Sequence, residues 1–139
     1  MFEQEIYSEI TNNFAATLPE TWQNIGVYFG RVEEKQKAPY IVMYPLNNDG
    51  TRQVLCDTDD YTDGETSIQF NIYAEDYSNA CYIGRQLDIF LASLKVLENY
   101  RILLNNHEVT RDFPDTNTGL SLETITRLFT YTSYESSST

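Results

Sequence analysis

The densest group of side chains that could do chemistry is a cluster of carboxylates in one short segment: Asp57, Asp59, Asp60, Asp63 and Glu65. Carboxylate oxygens are the ligands that calcium and magnesium ions prefer. The EF-hand loop requires an oxygen ligand at its fifth position and glycine at its sixth. Counted from Asp57, these positions hold Tyr61 and Thr62, so the pattern fails. We predict no metal site and interpret the segment as a solvated acidic loop or a loop that contacts a partner, with cation binding as the alternative.

The chain has a single histidine, His107. The preceding Asn105-Asn106 pair predicts a hairpin over residues 101–111, with the histidine exposed at its turn. No serine or cysteine stands near it in a nucleophile signature. Neither G-x-G-x-x-G nor G-x-x-x-x-G-K-[ST] occurs, so no phosphate loop is expected. We therefore predict no catalytic residue, no cofactor and no enzyme activity.

Two cysteines, Cys56 and Cys81, form neither a C-x-x-C motif nor a zinc pattern. Cys81 falls within a predicted helix, where a buried apolar thiol is the usual role. Cys56 stands at the start of the acidic segment. We expect two reduced thiols in a cytosolic protein, and a disulfide between them stays open at this point.

The charge of the chain limits its partners. Its 139 residues carry a net charge of −12 and no cluster of Lys or Arg. Binding to phosphates depends on such clusters. We therefore predict that the protein does not bind DNA, has no basic groove of the kind that nucleases use, and does not adhere to anionic membranes. No segment is apolar enough over about 18 residues to predict a membrane span. An acidic protein can nevertheless surround DNA, because repulsion leaves the DNA free to slide.

Two helices are predicted from apolar periodicity. Residues 2–17 repeat an apolar side chain every fourth position, and Pro19 ends the pattern. Asp76 is an N-cap candidate for a helix over residues 77–94. The apolar stripe of the second helix is Ala80, Ile83, Leu87, Phe90, Leu91 and Leu94. Gly84 lies in this stripe at a cost of about 1 kcal/mol in helix propensity, so close packing on a sheet is expected there.

The strands are predicted at residues 25–29, 40–44, 66–75 and 120–134, besides the hairpin over 101–111. Within 66–75, Ile68, Phe70, Ile72 and Ala74 alternate with Ser67, Gln69, Asn71 and Tyr73. This pattern predicts one packed and one polar face. The order helix, strands, helix, strands predicts an α+β fold: a mixed, mainly antiparallel sheet with both helices on one face. We expect one domain over residues 1–134 and a disordered tail over 135–139.

Three of these segments resemble a known family. The strand Ala-Pro-Tyr-Ile-Val-Met-Tyr (38–44) is followed by the acidic loop, then by Ile-Gln-Phe-Asn-Ile-Tyr-Ala (68–74) and an amphipathic helix. This arrangement is similar to the tail completion, or tail terminator, proteins of tailed phages and prophages. The likeness covers about residues 2–134. Asn71 stands where many members of the family carry Asp, and residues 95–119 have no clear counterpart.

The resemblance implies a structural virion protein without catalysis or cofactor. It implies a hexameric ring that caps the tail tube, contacts the tube protein and a neck or head-completion protein, and lets DNA pass without specific binding. Such a protein would be assembled in the host cytoplasm and reside in the virion at the head–tail junction. In a ring, the acidic cluster would line the lumen or contact a partner.

The subunit interface is predicted from the alternation of aromatic and polar residues in two strands, which we interpret as exposed edges: Ser67–Tyr73 and Leu128–Tyr134. The chain has 11 tyrosines, whose apolar rings and polar tips suit surfaces that become buried on assembly. The predicted interface residues are Ser67, Gln69, Asn71, Tyr73, Phe129 and Tyr131.

Two alternatives to a tail terminator stay open. One is a neck adaptor, tail tube subunit or other minor tail protein, which would share the size and sheet content. The other is a small metal-binding protein or enzyme, which would depend on the carboxylates of residues 57–65.

Overall fold

The computed structural model describes residues 2–30, 38–46, 63–115 and 120–133, except for the side chains of residues 63, 109–115 and 133. Its main elements are α1 (Phe2–Glu9), β1 (Gly26–Phe29), β2 (Tyr40–Pro45), β3 (Asp63–Ala74), α2 (Tyr77–Ala92), β4 (Tyr100–Asp115) and β5 (Leu120–Ser133). The five strands form one sheet in the order β1-β2-β3-β5-β4. Only β1 and β2 run parallel; the other pairs are antiparallel. The predicted α+β fold with a mixed, mainly antiparallel sheet is confirmed.

The N-terminal helix changes its geometry along its length. After α1, the chain continues as a π-helical turn at Ile10–Phe14 and a 3₁₀ turn at Ala15–Thr17. An apolar residue at every fourth position turns by about 40° per repeat on an α-helix of 3.6 residues per turn. A wider turn offsets this drift, which explains how one side of the segment stays buried to its end. The buried residues are Phe2, Ile6, Ile10 and Phe14.

The second helix, α2, begins where it was predicted to begin. The Asp76 side chain accepts a hydrogen bond from the backbone N–H of Ser78 at 3.2 Å, which caps the N-terminus. The helix ends at Ala92, two residues before the predicted end. Its buried stripe is Ala80, Ile83, Gly84, Leu87 and Leu91. In the described part of the chain, no helix is both long and apolar enough to cross a membrane.

Both helices pack on the same face of the sheet. On β3, Ile68, Phe70 and Ile72 are fully buried and join the helices in one apolar core. On β5, the side chains that share this face include Ile125 and Phe129, since Ile125 pairs with Phe70 in register. The predicted alternation of β3 is thereby confirmed, and we call the sheet face on the other side from the helices the distal face.

The predicted hairpin with its turn at Asn105-Asn106 is wrong. Strand β4 runs through these residues to Asp115, with register irregularities near Leu103 and Glu108. The Asn105 side chain is used within the fold, because its amide donates to the backbone oxygen of Leu91 at 2.7 Å. His107 accordingly lies within a strand and not at a turn.

A short hairpin does occur, but it comes earlier in the chain. The backbone N–H of Leu97 donates to the oxygen of Tyr100, and that of Ile102 donates to the oxygen of Lys95, both at 2.8 Å. The turn is fastened to α1, because the Glu5 carboxylate accepts from the backbone N–H of Asn99 at 3.0 Å and from its side-chain amide at 2.7 Å. This contact fixes the start of β4 against the N-terminal helix.

Gly84 is the point of closest approach between α2 and β5. A Cβ atom at this position would overlap the Glu123 carboxylate and approach the side chain of Ile125 to 3.4 Å. Glu123 is itself buried, so its carboxylate occupies the volume that a side chain at position 84 would need. The close packing predicted for this glycine is confirmed. The disordered tail that the sequence predicts over residues 135–139 lies outside the described residues.

We predict that Gly84→Ala lowers the free energy of unfolding by about 1 kcal/mol. Alanine gains about 1 kcal/mol in helix propensity, but overpacking a closed interface costs about 1–3 kcal/mol. Urea denaturation followed by circular dichroism measures the change.

The matched control is the same substitution in a Glu123→Ala background. There the space is open, so Gly84→Ala should become stabilising. An equal loss in both backgrounds would show that the Glu123 carboxylate is not the obstacle.

Candidate functional site

Strand β3, which carries most of the predicted interface, lies at the centre of the sheet. Its backbone pairs with β2 on one side and with β5 on the other. The hypothesis that the two predicted interface strands are exposed edges is therefore wrong, because β3 pairs on both sides and β5, which contains residues 128–133, lies between β3 and β4. Tyr134 lies outside the described residues. In the described sheet, the two outer strands are β1 and β4.

The six predicted interface residues divide between the two faces of the sheet. Ser67, Gln69, Asn71 and Tyr73 project from the distal face, whereas the other two lie on the helix side. Phe129 is 0% exposed within the core, so in the folded subunit it does not contact another copy. Tyr131 is half-buried and stacks on the ring of Phe2, with centroids 4.1 Å apart. The structure thus brings four of the six together, on a face and not on an edge.

A buried polar cluster occupies the middle of the distal face. The Asn71 side-chain oxygen accepts one hydrogen bond from the Gln69 amide at 2.9 Å and another from the Thr124 hydroxyl at 3.0 Å. Asn71 is 8% exposed and Thr124 is 7% exposed. Since a buried polar group is costly unless it is hydrogen-bonded, this cluster fixes the rotamers of three side chains across two strands.

Three tyrosine rings lie beside this cluster. Tyr40 and Tyr73 face each other in register on β2 and β3, and their rings stack with centroids 4.8 Å apart. Tyr28 of β1 meets Tyr40 edge to face at 6.1 Å. The sequence analysis missed Tyr28 and Tyr40. Because all four residues Tyr40–Met43 are buried, β2 has no alternation of exposed and buried positions that would have pointed to Tyr40.

The far end of the distal face becomes acidic. Ser67 donates to the Glu108 carboxylate at 3.0 Å, and Glu65 is exposed two residues earlier on β3. Asp57, Asp59 and Asp60 lie outside the described residues, and of Asp63 the structure describes only the backbone at the start of β3. The role of the acidic loop therefore stays a prediction. Among the described residues, no group of three or more His, Cys, Asp or Glu side chains could hold a metal ion.

On the helix side, a charged network joins α2 to the end of the sheet. The Arg127 guanidinium, 5% exposed, donates to the Asp88 carboxylate at 2.6 Å and to the Asn105 side-chain oxygen at 2.5 Å. His107 Nδ1 lies 3.2 Å from the same Asp88 oxygen. A buried guanidinium that is paired and hydrogen-bonded in this way is a structural connection between elements.

A cleft of about 370 Å³ lies between α2 and β5, next to the charged network. Its walls carry Arg85 as well as the carboxylates of Asp88 and Glu123. Because charges of both signs line the cleft, its electrostatics favour no single class of charged ligand. Cys81 also lines it and is half-buried, while Cys56 lies outside the described residues.

We predict that Asn71→Ala lowers the free energy of unfolding by about 2–3 kcal/mol, because it leaves the Thr124 hydroxyl and the Gln69 amide without their acceptor. Thr124→Val, which removes one donor and keeps the shape, should cost only about 1 kcal/mol. Urea denaturation of both variants gives the comparison. A loss for Asn71→Ala no larger than that for Thr124→Val would contradict the central role of the Asn71 oxygen.

The charged network yields a second prediction. Asp88→Ala should cost about 2–3 kcal/mol, since it leaves the buried Arg127 guanidinium without its carboxylate. His107→Ala, which removes the more exposed partner of the same carboxylate, should cost less than about 1 kcal/mol. Thermal and urea unfolding of the two variants measure the difference. Equal losses would mean that Arg127 does not depend on Asp88.

Comparison with known proteins gave no match: neither a protein-family model nor a curated protein sequence matches this chain. The resemblance to tail terminators over residues 2–134 therefore stays a prediction from the sequence.

Proposed function

We propose that this protein is a structural subunit that assembles into a closed ring, of the type that caps a phage tail tube and joins it to the neck of the head. The observation that carries the proposal is the distal face. Its tyrosines and hydrogen-bonded polar side chains lie on the inner strands of a sheet, where the backbone holds them in place. Tyrosine buries a large apolar ring and keeps a polar tip, so it suits a surface that is wet before assembly and dry after it.

The half-buried side chains of the distal face are the contact points that we assign to a neighbouring copy. Ser67, Gln69, Tyr73 and Tyr28 all retain part of their surface in the single chain. Their neighbours Asn71 and Tyr40 are buried and hold them in position. A pre-organised surface loses little side-chain entropy on binding, which favours a stable interface.

Charge supports the same proposal from another side. Each copy carries a net charge of −12. A ring of such subunits surrounds a lumen that repels the DNA phosphates, so that DNA passes without adhering. The half-buried side chains Tyr28, Gln69 and Tyr73 of the distal face are uncharged, so copies can meet at them without placing like charges in contact. The acidic residues 57–65 belong at the lumen or at the tube and neck proteins.

Two alternatives predict different particles. A tail tube subunit would polymerise into long tubes, whereas a terminator stops at a ring; a neck adaptor would bind the head side and leave purified tubes unchanged. A metal-binding protein would release or absorb heat when calcium, magnesium or manganese ions are added in a calorimeter. Absence of that heat would remove the support for the metal-binding alternative.

The proposed interface is tested by Tyr73→Asp, which places a charge on the distal face. Light scattering after size-exclusion chromatography should show a ring for the unmodified protein and a monomer for the variant. The few interface residues that each contribute about 2 kcal/mol or more are enriched in tyrosine, and a buried charge at such a position adds a desolvation cost. Tyr73→Phe should keep the ring, since it retains the stacked aromatic surface.

Ile89→Asp is the matched control on the other side of the molecule, because Ile89 is exposed on α2. It should leave the ring intact, and circular dichroism should show that every variant is folded. A folded Tyr73→Asp ring, or a ring lost only with Ile89→Asp, would contradict the distal face as the interface. An unmodified protein that stays monomeric beside purified tail tubes would contradict the function itself.

A further inference from the structure

A second cavity, of about 290 Å³, lies at the start of α2. The 3₁₀ turn Glu20–Trp22, the segment before β2 and the β3–α2 connection enclose it. The lining residues are Thr21, Trp22, Ala38, Pro39, Ala74, Glu75 and Asn79. Ligand pockets start at about 300 Å³, so this cavity has the size for one long side chain and not for a large cofactor.

The walls of this cavity combine an apolar surface with an aromatic ring. Trp22 is half-buried and packs against the core, and its ring lies 5.7 Å from that of Tyr82 on α2. Pro39 and Ala74 extend the apolar lining. Such a surface accommodates the methylene stem of a long side chain, and an indole ring attracts a cation more strongly than other aromatic rings do.

Three polar side chains at the cavity have no partner in the part of the chain that the structure describes. No hydrogen bond or ion pair among the described residues involves the side chains of Glu75, Asn79 or Trp22. Glu75 supplies a carboxylate at the exposed rim, and Trp22 supplies an indole N–H donor. The cavity thus offers an anionic acceptor, a neutral donor and an apolar wall to an incoming ligand.

We propose that this cavity binds a lysine or arginine side chain of a second protein. The cationic head pairs with the Glu75 carboxylate, the stem lies on the apolar wall, and a backbone oxygen of the partner accepts from the Trp22 indole. Anionic ligands are disfavoured, because Asp76 follows Glu75 directly in the chain and the protein carries a net charge of −12. None of the residues that line the cavity is among those assigned to the ring interface, so the proposal does not depend on ring assembly.

The test uses the fact that Trp22 is the only tryptophan in the chain. In ¹⁵N-labelled protein, the indole N–H gives one NMR signal that reports on this cavity alone. The probes are N-acetyl-lysine methylamide and its neutral analogue N-acetyl-norleucine methylamide. We expect the lysine probe to shift the signal saturably and to bind roughly tenfold more tightly than the norleucine probe. Equal shifts with both probes, or no saturable shift with lysine, would overturn the proposal.

Two exposed carboxylates provide matched variants. Glu75→Gln removes the charge at the cavity and should weaken the lysine probe roughly tenfold while leaving the norleucine probe unchanged. Glu98→Gln removes a charge beyond the other end of α2 and should change neither affinity. An unchanged lysine affinity in Glu75→Gln, in a variant whose NMR spectrum remains that of the folded protein, would also overturn it. Because both experiments work on any oligomer, their failure leaves the ring proposal untouched.

Discussion

The pairing of β3 with a neighbour on each side is the constraint on which the rest of the structure depends. All twelve residues of β3 pair with β5 and six of them also pair with β2, so the strand separates the molecule into two environments. Ile68, Phe70 and Ile72 face the helices, whereas Gln69 and Asn71 face away. A slip of one residue would exchange the two sets, so the apolar core enforces the register that creates the distal face.

On the helix side of the sheet, hydrogen bonds and an ion pair join α2 to β4 and β5 beside the apolar core. Arg127 lies on the same face as the fully buried Phe129, and its guanidinium is satisfied by Asp88 and Asn105. The irregular register of β4 occurs on both sides of Asn105 and His107, where β-bulges redirect side chains. Strand β4 thus supplies Asn105 as a partner of the buried guanidinium, and α2 is held to the sheet at its C-terminal end as well as at Gly84.

Patterns among neighbouring residues predicted where helices and strands lie. The order of the strands and the partners of polar side chains depend on residues far apart in the sequence, and these were not predicted. The alternation in β3 and the Asp76 cap depend on neighbouring residues, so both were predicted. A period of two residues reports the faces of a strand but not its neighbours, which is why β3 was taken for an edge. Asn105-Asn106 looked like a turn because its partners, Leu91 and Arg127, stand far along the chain. Phe129 was assigned to an interface because the sequence does not show that the helices cover its face of β5.

The two proposed surfaces follow from how an acidic protein can bind partners at all. At physiological ionic strength, charge repulsion between exposed groups is screened beyond about 8 Å, so short-range contacts decide association. The distal face supplies uncharged aromatic and amide groups around Asn71, which suit a copy of equal charge. The cavity at Trp22 supplies a carboxylate on an apolar wall, which suits a basic side chain. In a chain of net negative charge, copies of the protein are thus expected to meet at an uncharged surface, and basic partners at a surface that carries a carboxylate.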